Sequence, residues 1–379
     1  MNAIGTSDTG VGQRRLDAAL SGSRVPMLDG LRALAVVLVI ATHFGAGVPL
    51  ALVSVFFVLS GFVITWLLLK EQDSTGSISL SGFYARRVVR ILPAYYVFVV
   101  LSIAVDWMRG DSRIAPAAGP ALFYYTNYFN ALHGHPASSV AHAWSLAVEL
   151  QFYVVAPVAF LLLAARGRRA LLLGAAFAIV AVAAWRSFAF LRLGLGPAYA
   201  YNAFDCRFDA LAAGCLLAVS CRSPRFRSAM EACADRWHWA PMLIAIALLP
   251  VLEFSRPWYR YTIGFTIQAL AIAFAICQLL VLHTEAPWRF LDTRLMRYLG
   301  SLSYGMYLYH LWGLSIGHRL SPASPWLEFS VGLAVTIALA AASYYLIEQP
   351  AVRLKKRVAA GLRPARSLGP AEAREAVSA

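Results

Sequence analysis

Charge is what this sequence has least of. Of 379 residues only 14% are Asp, Glu, Lys or Arg, while 60% are hydrophobic. A soluble globular domain is nearer about 45–50% apolar and about 25% charged, so an ordinary soluble enzyme is excluded. The mean hydropathy of +0.63 agrees. Acid is scarcer still: 19 Asp and Glu stand against 33 Lys and Arg, a net charge of +14. Cysteine is sparse as well. Cys206, Cys215, Cys221, Cys233 and Cys277 form no C-x-x-C pair, and most lie in or beside apolar runs. That excludes a disulfide framework or a cysteine zinc site and leaves small buried hydrophobes. The first 25 residues are polar and carry no apolar stretch, so no cleavable signal peptide is visible. The first apolar run is therefore expected to be retained as a span. There is no internal repeat, no low-complexity linker and no room for a folded soluble domain.

Apolar runs fill the chain instead. A membrane-spanning helix needs about 17–25 mostly apolar residues. Ten stretches qualify: 27–47, 48–70, 88–106, 142–164, 170–190, 203–220, 239–254, 260–282, 298–318 and 326–348. The sixth and seventh are short. The pattern predicts an all-α, polytopic membrane helix bundle of about ten spans. A tight turn is expected at Gly45–Pro49, and the Ala/Pro/Arg-rich tail after Arg357 reads as disordered.

The basic residues set the orientation. With a cytoplasmic N-terminus, ten spans put 24 of the 33 basic residues in cytoplasmic segments and 7 outside, with Arg32 and Arg186 inside spans. Cytoplasmic loops carry such an excess, so both termini are expected in the cytoplasm. A basic chain also suits nucleic acid, but so apolar a composition assigns the excess to the membrane face, and no nucleic-acid partner is expected.

Charges inside a membrane are costly and face a bundle interior or a water-filled cavity. Asp29 and Arg32 are three apart and share a helix face. Arg32 and His43 are eleven apart, close to a whole number of turns and about 16 Å along the axis. The three form one polar stripe, with Arg32 toward the cytoplasm and His43 toward the outer face. It is either a functional stripe or a helix-end Asp–Arg pair with a hydrogen-bonded core His. In the fourth span, Trp144 is followed by Ser145 and Glu149, four apart on one face. Glu149 lies about 10 Å below the start of its span, and His43 about 6 Å below the outer end of its own. These depths lead to the expectation that Glu149 contacts His43, orients it and strengthens it as a base. The alternative is a structural pair joining two spans.

The third span opens with Arg86, Arg87 and Arg90. Guanidinium groups match phosphate oxygens in a bidentate fork. The cluster therefore either holds the phosphates of a nucleotide-like donor or serves as a basic anchor on lipid phosphates. Asp205, Arg207 and Asp209 crowd the sixth span, as an ion network fixing helix packing or as contacts for a hydroxylated acceptor. Residues 303–310 of the ninth span put hydroxyls, including Tyr304, and the mid-span His310 into the membrane. Glu348 either caps the last span or pairs with Arg353. The segment from Trp107 to Ala141, with Phe123 to Phe129, is aromatic enough to stack on sugar rings or to form an interfacial belt. No metal-ligand cluster is visible, and no metal is expected.

Taken in order, these motifs resemble the membrane acyltransferase family called acyltransferase 3. The carriers are Leu28-Asp29-Gly30-Leu31-Arg32-Ala33 running to His43, Phe56-Phe57-Val58-Leu59-Ser60-Gly61-Phe62, and Tyr84 to Pro93 with its Arg87-x-x-Arg90. Further carriers are Trp144-Ser145-Leu146-Ala147-Val148-Glu149, Arg207-Phe208-Asp209, Ser303 to His310, and Ile347-Glu348-Gln349-Pro350. The resemblance covers residues 24–357. It implies about ten spans and transfer of acyl groups from cytosolic acyl-CoA to sugars or other hydroxylated acceptors. It further implies that Arg32 and His43 are essential, His43 being the catalytic imidazole. Arg87 and Arg90 then belong to the acyl-CoA side, and Glu149 to the acidic position after the family's tryptophan.

The function expected is an O-acyltransferase of the inner membrane, most simply an O-acetyltransferase. Acetyl-CoA or another acyl-CoA is the donor, and the acceptor is a hydroxyl of a cell-surface glycan such as lipopolysaccharide or another polysaccharide, or of its lipid-linked precursor. His43 acts as general base or carries the acyl group as an acyl-imidazole. Arg32 stabilises developing charge or simply pairs with Asp29. The alternatives are acylation of a small metabolite such as a macrolide and, in another class, a proton-coupled transporter or flippase. The domain expectation is a polar N-terminus at 1–24, an acyltransferase transmembrane domain at 25–357 and a tail at 358–379. The chain stops soon after the tenth span, without the esterase-like domain some relatives carry. Transfer is therefore expected to be completed by the bundle or by a separate partner.

Overall fold

The computed structural model describes residues 12–22, 24–44, 52–136, 138–286, 288–321 and 324–354. The turn expected at Gly45–Pro49 and the tail after Arg357 lie outside them. Among the described residues every regular element is helical. A major helix stands at each of the ten expected places. These are α1 Pro26–His43, α2 Leu52–Thr75, α3 Leu80–Met108, α4 Trp144–Ala164, α5 Arg168–Leu191, α6 Phe204–Ser220, α7 Ala240–Glu253, α8 Phe265–Leu282, α9 Arg294–Leu320 and α10 Pro325–Ser343.

Seven segments are long and apolar enough to cross a membrane: Pro26–His43, Leu52–Thr75, Leu80–Met108, Ala141–Ala164, Arg168–Leu191, Pro257–Leu282 and Pro325–Leu354. The other three differ for identifiable reasons. Helices α6 and α7 have 17 and 14 residues. Helix α9 has 27, but its Ser, Tyr and His side chains dilute its apolarity.

Local chemistry sets the helix starts. Pro26 opens α1, where a missing N–H costs nothing. Ser79 caps α3 by accepting from Gly82 N at 3.1 Å, and Thr293 caps α9 in the same way. Within lipid every backbone group must be satisfied internally, which helices achieve. The bundle also turns large apolar side chains outward: Val100 and Leu101 on α3, and Leu173, Phe177 and Val180 on α5, are exposed. An apolar exterior on a bundle of long helices makes this a multi-pass membrane protein.

Inside, two apolar cores form. One gathers α2, α5, α6 and α8 around Phe57, Phe62, Leu211 and Ile276. The other joins α1, α3, α9 and residues 114–147 around Ile40, Tyr95, Phe98 and Met306. Helix backbones meet where a side chain is absent. A Cβ on Gly300 of α9 would lie 2.0 Å from the Asp29 carbonyl oxygen, so this glycine seats α9 against the start of α1. Gly214 of α6 meets Val58 of α2 in the same way. Small residues permit this close packing in membranes.

The polar N-terminus contains a docked helix, Gly12–Ser21. Its Leu16 is fully buried, and Leu16 N donates to Glu231 Oε1 at 3.0 Å. Asp17 pairs with Arg227, and Arg15 with Asp235, both on the helix Pro224–Trp237.

Candidate active site

Two cavities open from opposite ends of α1. The unbroken helix keeps Asp29, Arg32 and His43 on one stripe, but the stripe serves two chambers. At its N-terminal end a cavity of about 550 Å³ is lined by Asp29, Arg32, Arg86, Arg87, Arg90, Ser145, Glu149, Tyr153 and Tyr304, among others. At its C-terminal end a cavity of about 680 Å³ is lined by His43, His135, His142, Trp144, Tyr201 and Trp312, among others. Val53 and Tyr307 line both. The partition between them is a hydroxyl pair. Tyr307 OH donates to the His142 carbonyl at 3.0 Å and stands 2.7 Å from Ser145 Oγ. Two helices widen into π turns beside these chambers, a feature common at functional sites. Arg260–Gly264 supplies Arg260 and Tyr261 to the His43 cavity, and Tyr344–Glu348 supplies Tyr344 to the arginine cavity.

The arginine cavity holds its charges in different ways. Arg32 NH1 donates to Asp29 Oδ1 at 3.1 Å, the pair expected from their spacing. Arg86 is drawn off by Glu71, at 2.7 Å. Arg87 stacks its guanidinium 5.6 Å from the Phe83 ring centre and 5.7 Å from that of Tyr153. Arg87 and Arg90 form no ion pair among the described residues. They line the cavity outside any ion pair, with Glu149 near Arg87 and Glu348 near Arg90, and guanidinium groups so placed suit an anion.

The expected contact of Glu149 with His43 is not formed. Glu149 accepts from Ser60 Oγ at 3.0 Å and from Tyr153 OH at 3.1 Å, and it faces the arginine cavity. The reason is one helical turn. Ser145, about 6 Å along the helix from Glu149, and Tyr307 occupy the border, so Glu149 lies beyond it. Its neighbouring charges are Arg32 and Arg87.

His43 is exposed to its cavity. Its Nδ1 lies 2.9 Å from the Val39 carbonyl. A carbonyl only accepts, so Nδ1 carries the proton and Nε2 holds the lone pair. This is the tautomer of a general base with a fixed ring. His310 is fully buried behind it, 4.8 Å between ring centres. Trp144 packs against Tyr201 at 4.8 Å. Burial in the segment before α4 pushes the His135 imidazole below its usual range.

Arg207 and Asp209 line neither cavity. Arg207 donates to Ser54 Oγ at 2.7 Å and lies 4.1 Å from the Phe265 ring centre. Asp209 forms a buried ion pair with Arg186 at 2.8 Å and accepts from Thr266 Oγ1 at 2.6 Å. Asp205 accepts from Tyr128 OH at 2.9 Å, Tyr199 OH at 3.1 Å and Trp185. This crowd ties helices together. Sequence reasoning missed Ser60, Tyr153, His142, Tyr307 and the partner role of Arg186. Ser60 and Tyr307 stood within quoted motifs, but nothing in the sequence marked them as partners.

An acyltransferase-domain family model, acyltransferase 3, matches residues 25–345. A Staphylococcus aureus (strain COL) protein provisionally named an O-acetyltransferase is 29% identical over 348 residues, 86% of this chain and 57% of that protein. YrhL of Bacillus subtilis (strain 168), provisionally named a peptidoglycan O-acetyltransferase, is 28% identical over 349 residues, 86% of this chain and 54% of its own. The peptidoglycan O-acetyltransferase OatA of Listeria monocytogenes (serovar 1/2a, strain EGD-e) is 30% identical over 358 residues, 86% of this chain and 55% of its own. The chain thus spans little more than half the length of these relatives. No solved structure matches. The matched region contains all ten major helices and, apart from Arg24, the residues that line both cavities, and the chain belongs to the acyltransferase 3 family of membrane acyltransferases.

Proposed function

We propose that this chain is an O-acetyltransferase that moves an acetyl group from acetyl-CoA on the cytoplasmic side to a hydroxyl on the opposite side of the inner membrane. One observation carries the reading: two cavities meet end to end at Tyr307 and Val53, one bearing unpaired arginines and the other a histidine with its base nitrogen free. The arginine cavity opens at the end of α1 where the sequence concentrates its basic residues, which supports ten spans with both termini cytoplasmic. Residues 25–357 then form the acyltransferase domain.

The donor's phosphates sit against Arg87 and Arg90, with Arg86 shared with Glu71. Its acyl arm enters past Arg32 and Glu149, whose hydrogen bonds to Ser60 and Tyr153 keep the carboxylate clear of the path. The Tyr307–Ser145 pair parts to admit the thioester. In the His43 cavity the acceptor hydroxyl gives its proton to His43 Nε2 and its oxygen attacks the thioester carbonyl. The C–S bond breaks, and the thiolate leaves toward the arginine side. Trp144, Tyr201 and Trp312 offer flat apolar faces between polar groups, which suits a sugar ring of a cell-surface glycan.

The test is mass spectrometry of cell-surface glycans with and without the gene, joined to [14C]acetyl-CoA transfer by the purified protein. Loss of O-acetyl groups without the gene supports the glycan. Transfer by the protein with unchanged glycans redirects the acceptor to a small metabolite. Opposed cavities are also what a carrier has. Solute flux with no acetyl transfer would replace the enzyme reading with that one.

A further inference from the structure

Three imidazoles from three separate segments form a row. His310 of α9 lies between His43 of α1 and His142 of the turn Ala141–Ala143, 4.8 Å from each by ring centres. Each ring gives one nitrogen to a backbone carbonyl: His43 Nδ1 to Val39 at 2.9 Å, His310 Nδ1 to Tyr307 at 2.7 Å and His142 Nε2 to Leu308 at 3.1 Å. Carbonyls only accept, so each of those nitrogens carries hydrogen and the other nitrogen of each ring keeps a lone pair. His310 Nε2 and His142 Nδ1 are buried with no partner among the described residues. A buried acceptor left unmet costs stability. An apolar ring such as Phe would bury no such nitrogen, so packing alone does not account for two of them side by side.

Among the described residues no carboxylate bonds to any of the three. The ionisable groups that face the row are few. Tyr307 is on the same helix. His135, Asp106, Arg109, Arg260 and Tyr201 stand around the cavity, and Asp106 is engaged by Ser139 at 2.6 Å. On α10, Glu328 is paired with His318 at 3.1 Å. Without a fixed anion, the row holds one added proton at most, because a second would put two cations in contact. The rings meet edge to face, and among the described residues no metal-binding cluster is found.

We infer that His310 and His142 extend His43 into a relay that shares a single proton. This rests on the proposed role of His43 as the base. The acceptor O–H breaks and its proton bonds to His43 Nε2. Among the described residues His310 Nε2 and His142 Nδ1 make no hydrogen bond at rest, so the proton passes to His310 Nε2 and then to His142 Nδ1 only as ring rotations bring each pair of nitrogens into contact, one N–H forming as another breaks. The His142 ring borders the cavity, and a rotation that turns its buried Nδ1 toward that space releases the proton there, away from the acceptor, and all three rings return to neutral. The departing thiolate takes a proton from water on the arginine side. His310 touches no substrate; it is a positioning residue that clears His43 for the next turnover.

The experiment is solid-state NMR of the 15N-histidine-labelled full chain in lipid, titrated from pH 8 to pH 5. Resonances are assigned by difference against His310→Gln and His142→Gln. The expected result is one shared titration step in His43, His310 and His142, totalling one proton. In His310→Gln the other two then titrate separately. Independent steps in the unaltered protein, or stoichiometric zinc in it, would overturn the relay. In parallel, acetyl transfer to chitotetraose should show kcat about tenfold or more lower in His310→Gln, with the KM for acetyl-CoA unchanged and partial rescue by added imidazole. A rise in KM alone would overturn the relay. Coupled titration with no acetyl transfer to any acceptor would remove the base role and with it the relay's function. Transfer with uncoupled rings would remove the relay and leave the enzyme.

Discussion

Replacing Asp209 by Ala should destabilise the bundle without touching either cavity. Arg186 is 0% exposed and Asp209 1%. Besides the carboxylate at 2.8 Å, the guanidinium reaches the Thr262 carbonyl at 2.7 Å, the Cys206 carbonyl at 2.6 Å and Thr266 Oγ1 at 2.6 Å. Removing the carboxylate leaves three neutral acceptors and an uncompensated buried cation. Breaking such a pair costs about 3–5 kcal/mol, whereas replacing both partners by apolar residues of similar volume is often neutral. At about 2–4 °C per kcal/mol in domains of roughly 150–250 residues, and less in a larger chain, Asp209→Ala should melt about 5–10 °C lower. The combined Arg186→Met, Asp209→Leu variant should recover most of that. The assay is thermal unfolding in one detergent, followed by intrinsic fluorescence. Asp209→Ala melting within about 2 °C of the parent, or the double variant falling below the single, would refute the reasoning.

Other outcomes follow from the site. His43→Asn keeps an amide N–H near Nδ1 for the Val39 carbonyl but has no base; acetyl transfer should fall about 10²–10⁴-fold with membrane insertion intact, and near-parental turnover would remove His43 from catalysis. Arg87→Gln and Arg90→Gln should each raise the KM for acetyl-CoA roughly tenfold or more, since a charge-assisted hydrogen bond is worth about 1.5–3 kcal/mol. Arg86→Gln, already paired with Glu71, should change it less than about threefold, and equal effects in all three would contradict the division. His135 has a folded pKa below its unfolded value near 6.5. Its contribution to stability is present above that pH and lost as pH falls from 6.5 toward the depressed value. His135→Gln should therefore narrow the gap in melting temperature between pH 7.5 and pH 5, and an unchanged gap would count against burial as the cause.

The apolar runs were legible because lipid and core both demand them, and each expected span coincides with a helix. The docked helix at Gly12–Ser21 was not, because its hold is one buried leucine, partners more than 200 residues away, and Lys70, whose Nζ donates to the Ser21 carbonyl at 2.9 Å. Asp29 with Arg32 could be read from local spacing. Glu149 with His43 could not, because depth along two helices leaves open what stands between them, and here it is Ser145 and Tyr307. The row of three histidines was illegible for a related reason. His142 precedes α4 in a short turn and His310 is on α9, so the rings meet through the packing of α1 against α9, with Gly300 at Asp29, and through the hydrogen bonds that tie His142 to Tyr307 and Leu308 of α9.

The proposed transfer crosses the membrane between two cavities. It is tested most directly in sealed vesicles of uniform orientation, with [14C]acetyl-CoA only on the arginine-cavity face and an acetyl acceptor found by glycan mass spectrometry trapped on the other. O-acetyl ester is expected on the trapped acceptor and is lost in His43→Asn. Ester formed only when donor and acceptor share one side would contradict it.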